Sequence, residues 1–268
     1  MSYFGLYKDL MELNIPDSVS QDLYERTMAR YYDKITEIDK YDIEIFYKYA
    51  AILGDQVLEL ACGSGRVAIP LAEKGFQVIG IDFSSDMLAI LDKKLLAAPS
   101  RVKKRITTYK CDMTNFSIDR TFRLVILPGT SISLLVRDEQ IRSMFKCVYA
   151  HMESGGRFVF DYWEPDSIIN SPVKNETHCY TWDNDSDGKE FVIFSEFVDI
   201  SKSRLHINFY AEQIKDGATK RFFGSSEKRL IYDDVIELAR SEKLNLLDTF
   251  TLECSPTGKI KFVVLEKW

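Results

Sequence analysis

The sequence predicts a doubly wound α/β domain with a mostly parallel seven-stranded sheet, interrupted late in the chain by a small antiparallel β insert. Three observations carry this. Strand-like and helix-like runs alternate from about residue 55 to 160, a glycine-bearing turn joins the first strand to its helix, and residues 176–229 lack helical periodicity before the alternation resumes.

Taken in order, residues 18–53 read mainly as helix, with a break near Asp39, a cap at Asp17 or Ser18, and Gly54-Asp55 closing it. Gln56 to Leu60 is the first strand. The helix Gly65–Lys74 turns Val67, Ala68, Leu71 and Ala72 inward, and Gly75 stops it. Phe76–Ile81 is the second strand. Ser84 or Ser85 caps a helix whose apolar face carries Leu88, Leu91 and Leu95. Strands follow at about 105–111 and 122–127. The helix 137–152 repeats Ile141, Met144, Phe145, Val148 and Met152 on one stripe, and Gly155-Gly156 turns the chain into the strand Arg157–Phe160.

In the insert, Phe191–Ile200 and Arg204–Ile214 read as strands. Asn184-Asp185-Ser186-Asp187-Gly188 and Lys215-Asp216-Gly217 read as turns. Leu205, Ile207 and Phe209 alternate with His206, Asn208 and Tyr210, giving one apolar and one polar face. A helix at 231–243 and strands near 246–253 and 259–266 complete the core. The expected division is a helical lid over 1–54, a core over 55–170 and 230–268, and the insert over 171–229.

The 268 residues carry 35 basic and 41 acidic side chains, a formal net charge of −6 without the basic surplus of a general nucleic-acid binder. Five scattered cysteines form no C-x-x-C pair, so neither a zinc site nor a disulfide framework is expected. No signal peptide or membrane span is recognisable, and a cytoplasmic enzyme, monomeric or homodimeric, is the expectation.

The chemistry concentrates where Val57-Leu58-Glu59-Leu60-Ala61-Cys62-Gly63-Ser64-Gly65-Arg66 runs from strand through turn to helix. Gly63 and Gly65 let a ligand approach the backbone. Gly63-x-Gly65-x-x-Ala68 also satisfies a relaxed dinucleotide fingerprint, which keeps an NAD-dependent oxidoreductase open. Asp82, at the tip of the second strand, can accept both hydroxyl hydrogens of a ribose. Cys111-Asp112-Met113, after the third strand, offers an acceptor for an adenine amino group.

These residues resemble the class I S-adenosylmethionine methyltransferase family. Glu59 to Gly65 is similar to its first motif, with Ala61 in place of the first glycine; Gly80 to Leu88 to its second; Cys111 to Met113 to its third. Tyr31-Tyr32-Asp33 resembles the tyrosine-aspartate element of the cofactor-covering helices, and Gly155 to Phe158 the turn into the fifth strand. The resemblance implies a Rossmann-like fold and S-adenosylmethionine as cofactor. It implies contacts from Tyr24, Tyr32, Glu59, Ala61, Gly63, Gly65, Asp82, Phe83, Met87, Asp112, Met113 and Leu127, with Gly63 and Gly65 under the methionine part and Met87 on adenine.

The acceptor belongs beyond the carboxyl ends of the strands, near Pro128-Gly129-Thr130-Ser131 and Asp161-Tyr162-Trp163, under the lid and insert. Inserts of this kind are similar to those of bacterial enzymes that N-methylate amino sugars and other natural-product intermediates, so an amine on a small molecule is expected. An amine must be neutral to attack, and Asp161, Tyr162 and His206 are the candidates for handling its proton. His151, near a helix C-terminus, suits a structural role, and His178 an exposed one. O-methylation, protein or peptide methylation, and a non-catalytic cofactor-binding module remain alternatives.

Overall fold

The computed structural model describes residues 2–37, 40–54, 56–170, 177–184, 188–254 and 258–268. Its core strands are β2 (Gln56–Leu60), β3 (Gln77–Asp82), β4 (Ile106–Lys110), β5 (Phe122–Leu127), β6 (Met152–Trp163), β11 (Leu244–Cys254) and β12 (Gly258–Lys267). They lie in the order β11-β12-β6-β5-β2-β3-β4. Every neighbouring pair is parallel except those made by β12, which is antiparallel to both β6 and β11.

Period-two alternation sends successive side chains to opposite faces, and each face is covered by helices. Val57, Leu124, Val159 and Phe262 pack against α3 (Ile43–Leu53), α4 (Ala68–Glu73) and α5 (Ser85–Ala97). Leu58, Val125, Phe158 and Val263 pack against α7 (Asp138–His151) and α9 (Asp234–Ser241). Short helices α6 (Ser100–Lys103) and α8 (Pro165–Ile169) join strands. The strand order reverses between β2 and β5, which opens a crevice at their carboxyl ends.

The insert is a second sheet, of β7 (Thr177–Asn184), β8 (Gly188–Asp199), β9 (Arg204–Lys215) and β10 (Ala218–Arg229), all antiparallel neighbours. Asp216 and Gly217 both take positive φ, 51° and 78°, as the tight β9–β10 hairpin requires. The other turn expected, at 184–188, falls largely outside the described residues.

Three boundaries differ from expectation. Ser18–Asp22 is not helix but a strand, β1, pairing parallel with β10 at Arg221–Ser225. Helices begin before and after it, as α1 (Leu6–Glu12) and α2 (Arg26–Thr36). Pairing with a distant edge overrides the local pattern here, and Asp17 and Ser18 cap nothing. The helix after β2 starts at Ala68, because Gly63 and Gly65 hold positive φ. Finally, β6 begins at Met152, and its register against β5 shifts between Phe122 and Leu124 rather than restarting after Gly155-Gly156.

The N-terminal elements cover the insert rather than acting as one helical cap. Tyr7 of α1 packs with Ile193, Tyr210 and Phe223 on one face of the second sheet. Met28 and Tyr31 of α2 pack with Val192, Ile207 and Phe209 on the other. Glu190, fully buried on β8, receives Arg30 at 2.5 Å and Lys34 at 2.8 Å, fixing α2 to that face. By contrast α3 belongs to the core, burying Phe46, Ala50 and Leu53 against the parallel sheet.

Candidate active site

One cavity of about 1800 Å³ spans the crevice and reaches the second sheet. Tyr24, Tyr32, Glu59, Ala61, Gly63, Asp82, Phe83, Met87, Asp112 and Met113 line it, so ten of the twelve cofactor candidates share one wall.

The other two, Leu127 and Gly65, do not line it. Leu127 is fully buried between β5 and α7 and does not reach the cavity. Gly65 lies behind the loop: a Cβ there would stand 2.4 Å from Leu91 Cδ1, so the glycine permits the close approach of α5.

The loop is held from several sides. Cys62 N–H donates to the Ile81 carbonyl (3.0 Å), and Gly63 N–H donates to Asp82 Oδ2 (2.8 Å). Ser84 N–H donates to Asp82 Oδ1 (2.8 Å), so both carboxylate oxygens are fixed while each keeps a second lone pair. Burial pushes the Asp82 carboxyl up, and these two amides oppose that push. Asp33 of α2 accepts from Ser64 Oγ and from Lys94 Nζ (2.7 Å), and Ser84 Oγ donates to the Tyr24 carbonyl. The segment from Tyr24 to Asp33 is therefore tied by hydrogen bonds directly to the two motif loops. Tyr24 and Tyr32 meet edge to face at 5.0 Å on its cavity side.

Two further acceptors suit an adenosyl amino acid. Glu59 is 1% exposed, and its Oε2 has no protein partner among the described residues; burial raises its carboxyl well above the ordinary range, against the opposing charge of Arg66. Asp112 Oδ1 takes the amide and hydroxyl of Thr114, both at 2.8 Å, leaving Oδ2 for an outside donor. A Cβ on Gly63 would meet Met87 Cε at 3.2 Å, filling the space between loop and methionine. The residues fit S-adenosylmethionine.

The expected proton-handling residues are placed differently. Tyr162 faces α7 and α9, and its hydroxyl donates to Asp233 (2.8 Å). Asp161 points to the opposite face, fully buried beneath Thr130: its Oδ2 accepts Tyr41 Oη (2.9 Å) and Thr130 N–H (3.2 Å). Neither lines the cavity. His206 sits on the side of β9 turned toward Phe4, ring centroids 4.3 Å apart, and borders both the large cavity and one of about 390 Å³ by Phe4 and Phe197. The apolar alternates Leu205, Ile207 and Phe209 line the large cavity as well, with Tyr180, Phe194 and His178. His151 is structural, accepting from Ile118 N–H at Nε2 and facing the Cys147 carbonyl with Nδ1.

Burial raises the Asp161 carboxyl from 3.8 to about 7; Asp42 adds to this, and Tyr41 and Arg66 oppose it. The folded state thus holds this proton more tightly than the unfolded chain. Its stabilisation is complete below about pH 4 and is lost as pH rises through about 7. Between about pH 5 and 8, urea unfolding of wild type should lose at least about 1 kcal/mol more than Asp161→Asn. Equal losses would assign the slope to another group.

The strand order reversed between β2 and β5, with the last strand antiparallel, is that of the class I S-adenosylmethionine-dependent methyltransferase fold. Residues 57–156 match the family described as "Methyltransferase domain", and this segment is such a domain. A Geobacillus sp. protein named "Putative methyltransferase" is 26% identical over 58% of this chain and 66% of its own length. The dTDP-3-amino-3,4,6-trideoxy-α-D-glucopyranose N,N-dimethyltransferase of Streptomyces venezuelae is 26% identical over 44% of this chain and 46% of its own. The chain thus spans less than two thirds of the length of these curated relatives. Among solved structures, the sugar N-methyltransferase KedS8 of Streptoalloteichus sp. superposes with a TM-score of 0.74 at 16% identity, over 93% of this chain and 96% of its own. The glycopeptide N-methyltransferase MtfA, in complex with S-adenosyl-L-homocysteine, superposes with a TM-score of 0.63 at 19% identity, over 99% of each. The dinucleotide fingerprint therefore sits in a methyltransferase fold. Among the described residues, no helix is long and apolar enough to cross a membrane.

Proposed function

We propose that this protein transfers the methyl group of S-adenosylmethionine to an amine nitrogen of a small molecule. The observation that carries it is the single cavity: Gly63, Asp82 and Met87 line one part, and Tyr180, Phe194 and Phe209 of the second sheet line another. When bound, S-adenosylmethionine supplies an electrophilic methyl group on a sulfonium. Asp82 would accept from the ribose hydroxyls, and Glu59 from the ammonium of the methionine part. The aromatic wall would exclude water and orient the acceptor, a contribution of up to roughly 7–11 kcal/mol in well-aligned reactions. His178, stacked on Phe194 at 4.9 Å, places an imidazole on this wall. Nitrogen as the acceptor atom is supported by the relatives named for sugar and glycopeptide N-methylation.

The test is release of S-adenosylhomocysteine from S-adenosylmethionine across a panel of small amines and their matched alcohols. Product with amines alone is expected. Product with alcohols alone would move the acceptor to oxygen, and failure of S-adenosylhomocysteine to bind at all would end the methyltransferase reading.

A further inference from the structure

The second sheet places a cation on the wall of the large cavity. Lys228 is on the cavity face of β10, two residues beyond Ser226, and is 8% exposed. Its charged neighbours in sequence are neutralised: Glu227 by Arg204 at 2.8 Å, Arg229 by Asp138. Among the described residues, Lys228 has no such partner. Its ammonium reaches the Thr130 hydroxyl at 3.4 Å, the far limit of a hydrogen bond, and no carboxylate of the described residues lies within 4.0 Å. A buried ammonium left with one distant neutral oxygen is poorly compensated, and an anion on the cavity side would complete it.

Thr130 is an independent sign of a built site. It is a β-branched residue in the left-handed region, φ 57° and ψ 22°, at the carboxyl end of β5. That conformation is disfavoured for such a side chain, and it persists here because the buried Asp161 holds the Thr130 amide. Gly129, also at positive φ, brings the loop to Arg66, which Asp42 holds with two bonds of 2.6 Å. The loop is thus braced from below so that its hydroxyl meets Lys228 from above.

We infer that Lys228 and the Thr130 hydroxyl form an anion subsite, and that the methyl acceptor is an amine that also carries a carboxylate or a phosphate. The substrate class rests on the methyltransferase reading above; the anion subsite does not. The amine end would point toward the cofactor loop, with the acidic end on Lys228.

The experiment uses the whole chain saturated with S-adenosylhomocysteine, titrated calorimetrically with inorganic phosphate in one arm and acetate in the other. Wild type should bind at least one of them; whichever binds more tightly identifies the acid group. Lys228→Met should weaken that binding at least tenfold while Lys228→Arg retains most of it. S-adenosylhomocysteine affinity, measured first, shows that each variant is folded. Absence of anion binding in wild type, or equal binding by a folded Lys228→Met, overturns the subsite. Methyl transfer to O-phosphoethanolamine and glycine is then compared with transfer to ethanolamine and methylamine. Turnover confined to the acid-free amines overturns the substrate class. If S-adenosylhomocysteine gives no heat with wild type, the cofactor reading fails on its own, and the anion titration of the free protein still decides the subsite.

Discussion

Replacing Asp82 with alanine should lower S-adenosylhomocysteine affinity by ten- to a hundredfold, measured by calorimetry. The carboxylate can accept two ribose hydroxyls, and a hydrogen bond to a charged group is worth about 1.5–3 kcal/mol, so even one is about tenfold. Asp82 also holds the amides of Gly63 and Ser84, so the alanine variant loosens the loop as well as the ligand. Asp82→Asn separates the two effects. It retains the side-chain size but not the charge, and it should fall between wild type and alanine. An affinity unchanged in both variants would show that the ribose lies elsewhere.

The second large effect distinguishes two glycines that look equivalent in sequence. Gly65→Ala should destabilise the fold by about 2–4 kcal/mol, combining a strained positive φ with overpacking. The new Cβ would stand 2.4 Å from Leu91 Cδ1 and 3.1 Å from Ile69 Cγ1, and Leu91 is fully buried. Gly63→Ala meets only Met87 Cε at 3.2 Å, the far end of a flexible side chain on the cavity wall. It should cost about 1–2 kcal/mol of stability, chiefly from its left-handed backbone, while weakening cofactor binding. Urea unfolding and calorimetry of both variants measure the contrast. Equal stability losses would contradict the division of labour between the glycines.

The contrast also shows what could be read before any coordinates. Local chemistry was legible: the strand–turn–helix around Gly63, Asp82 at a strand tip, and the cap made by Ser84, which accepts from Met87 N–H. The parallel order followed from alternation, and the antiparallel insert from turn residues and period-two runs. What failed depended on partners far away in the chain. Ser18–Asp22 is a strand only because β10 offers an edge. Tyr162 and Asp161 are neighbours at the end of one strand, so one had to face each helical layer, and neither was left for the crevice. On β9 the polar face was the natural candidate for a site, yet the apolar face supplies Leu205, Ile207 and Phe209 to the cavity while of the polar alternates only His206 borders it, the face packing mainly toward Phe4 and Tyr7. A hydrophobic ligand wall and a hydrophobic core face carry the same sequence signature. Lys228 could have been noticed as a lone cation alternating with Ser226, but burial alone distinguishes it from an ordinary surface lysine.

The parallel pairing of β1 with β10 also constrains the order of assembly. During synthesis, residues 18–22 leave the ribosome long before residues 221–225 exist, so this edge must wait while most of the core is made. Contacts between such distant segments form slowly, since the loop entropy is lost before the pairing rewards it. The completed edge of the second sheet is thus a late event in the life of each molecule, joined only after both ends of the chain's longest pairing have been made.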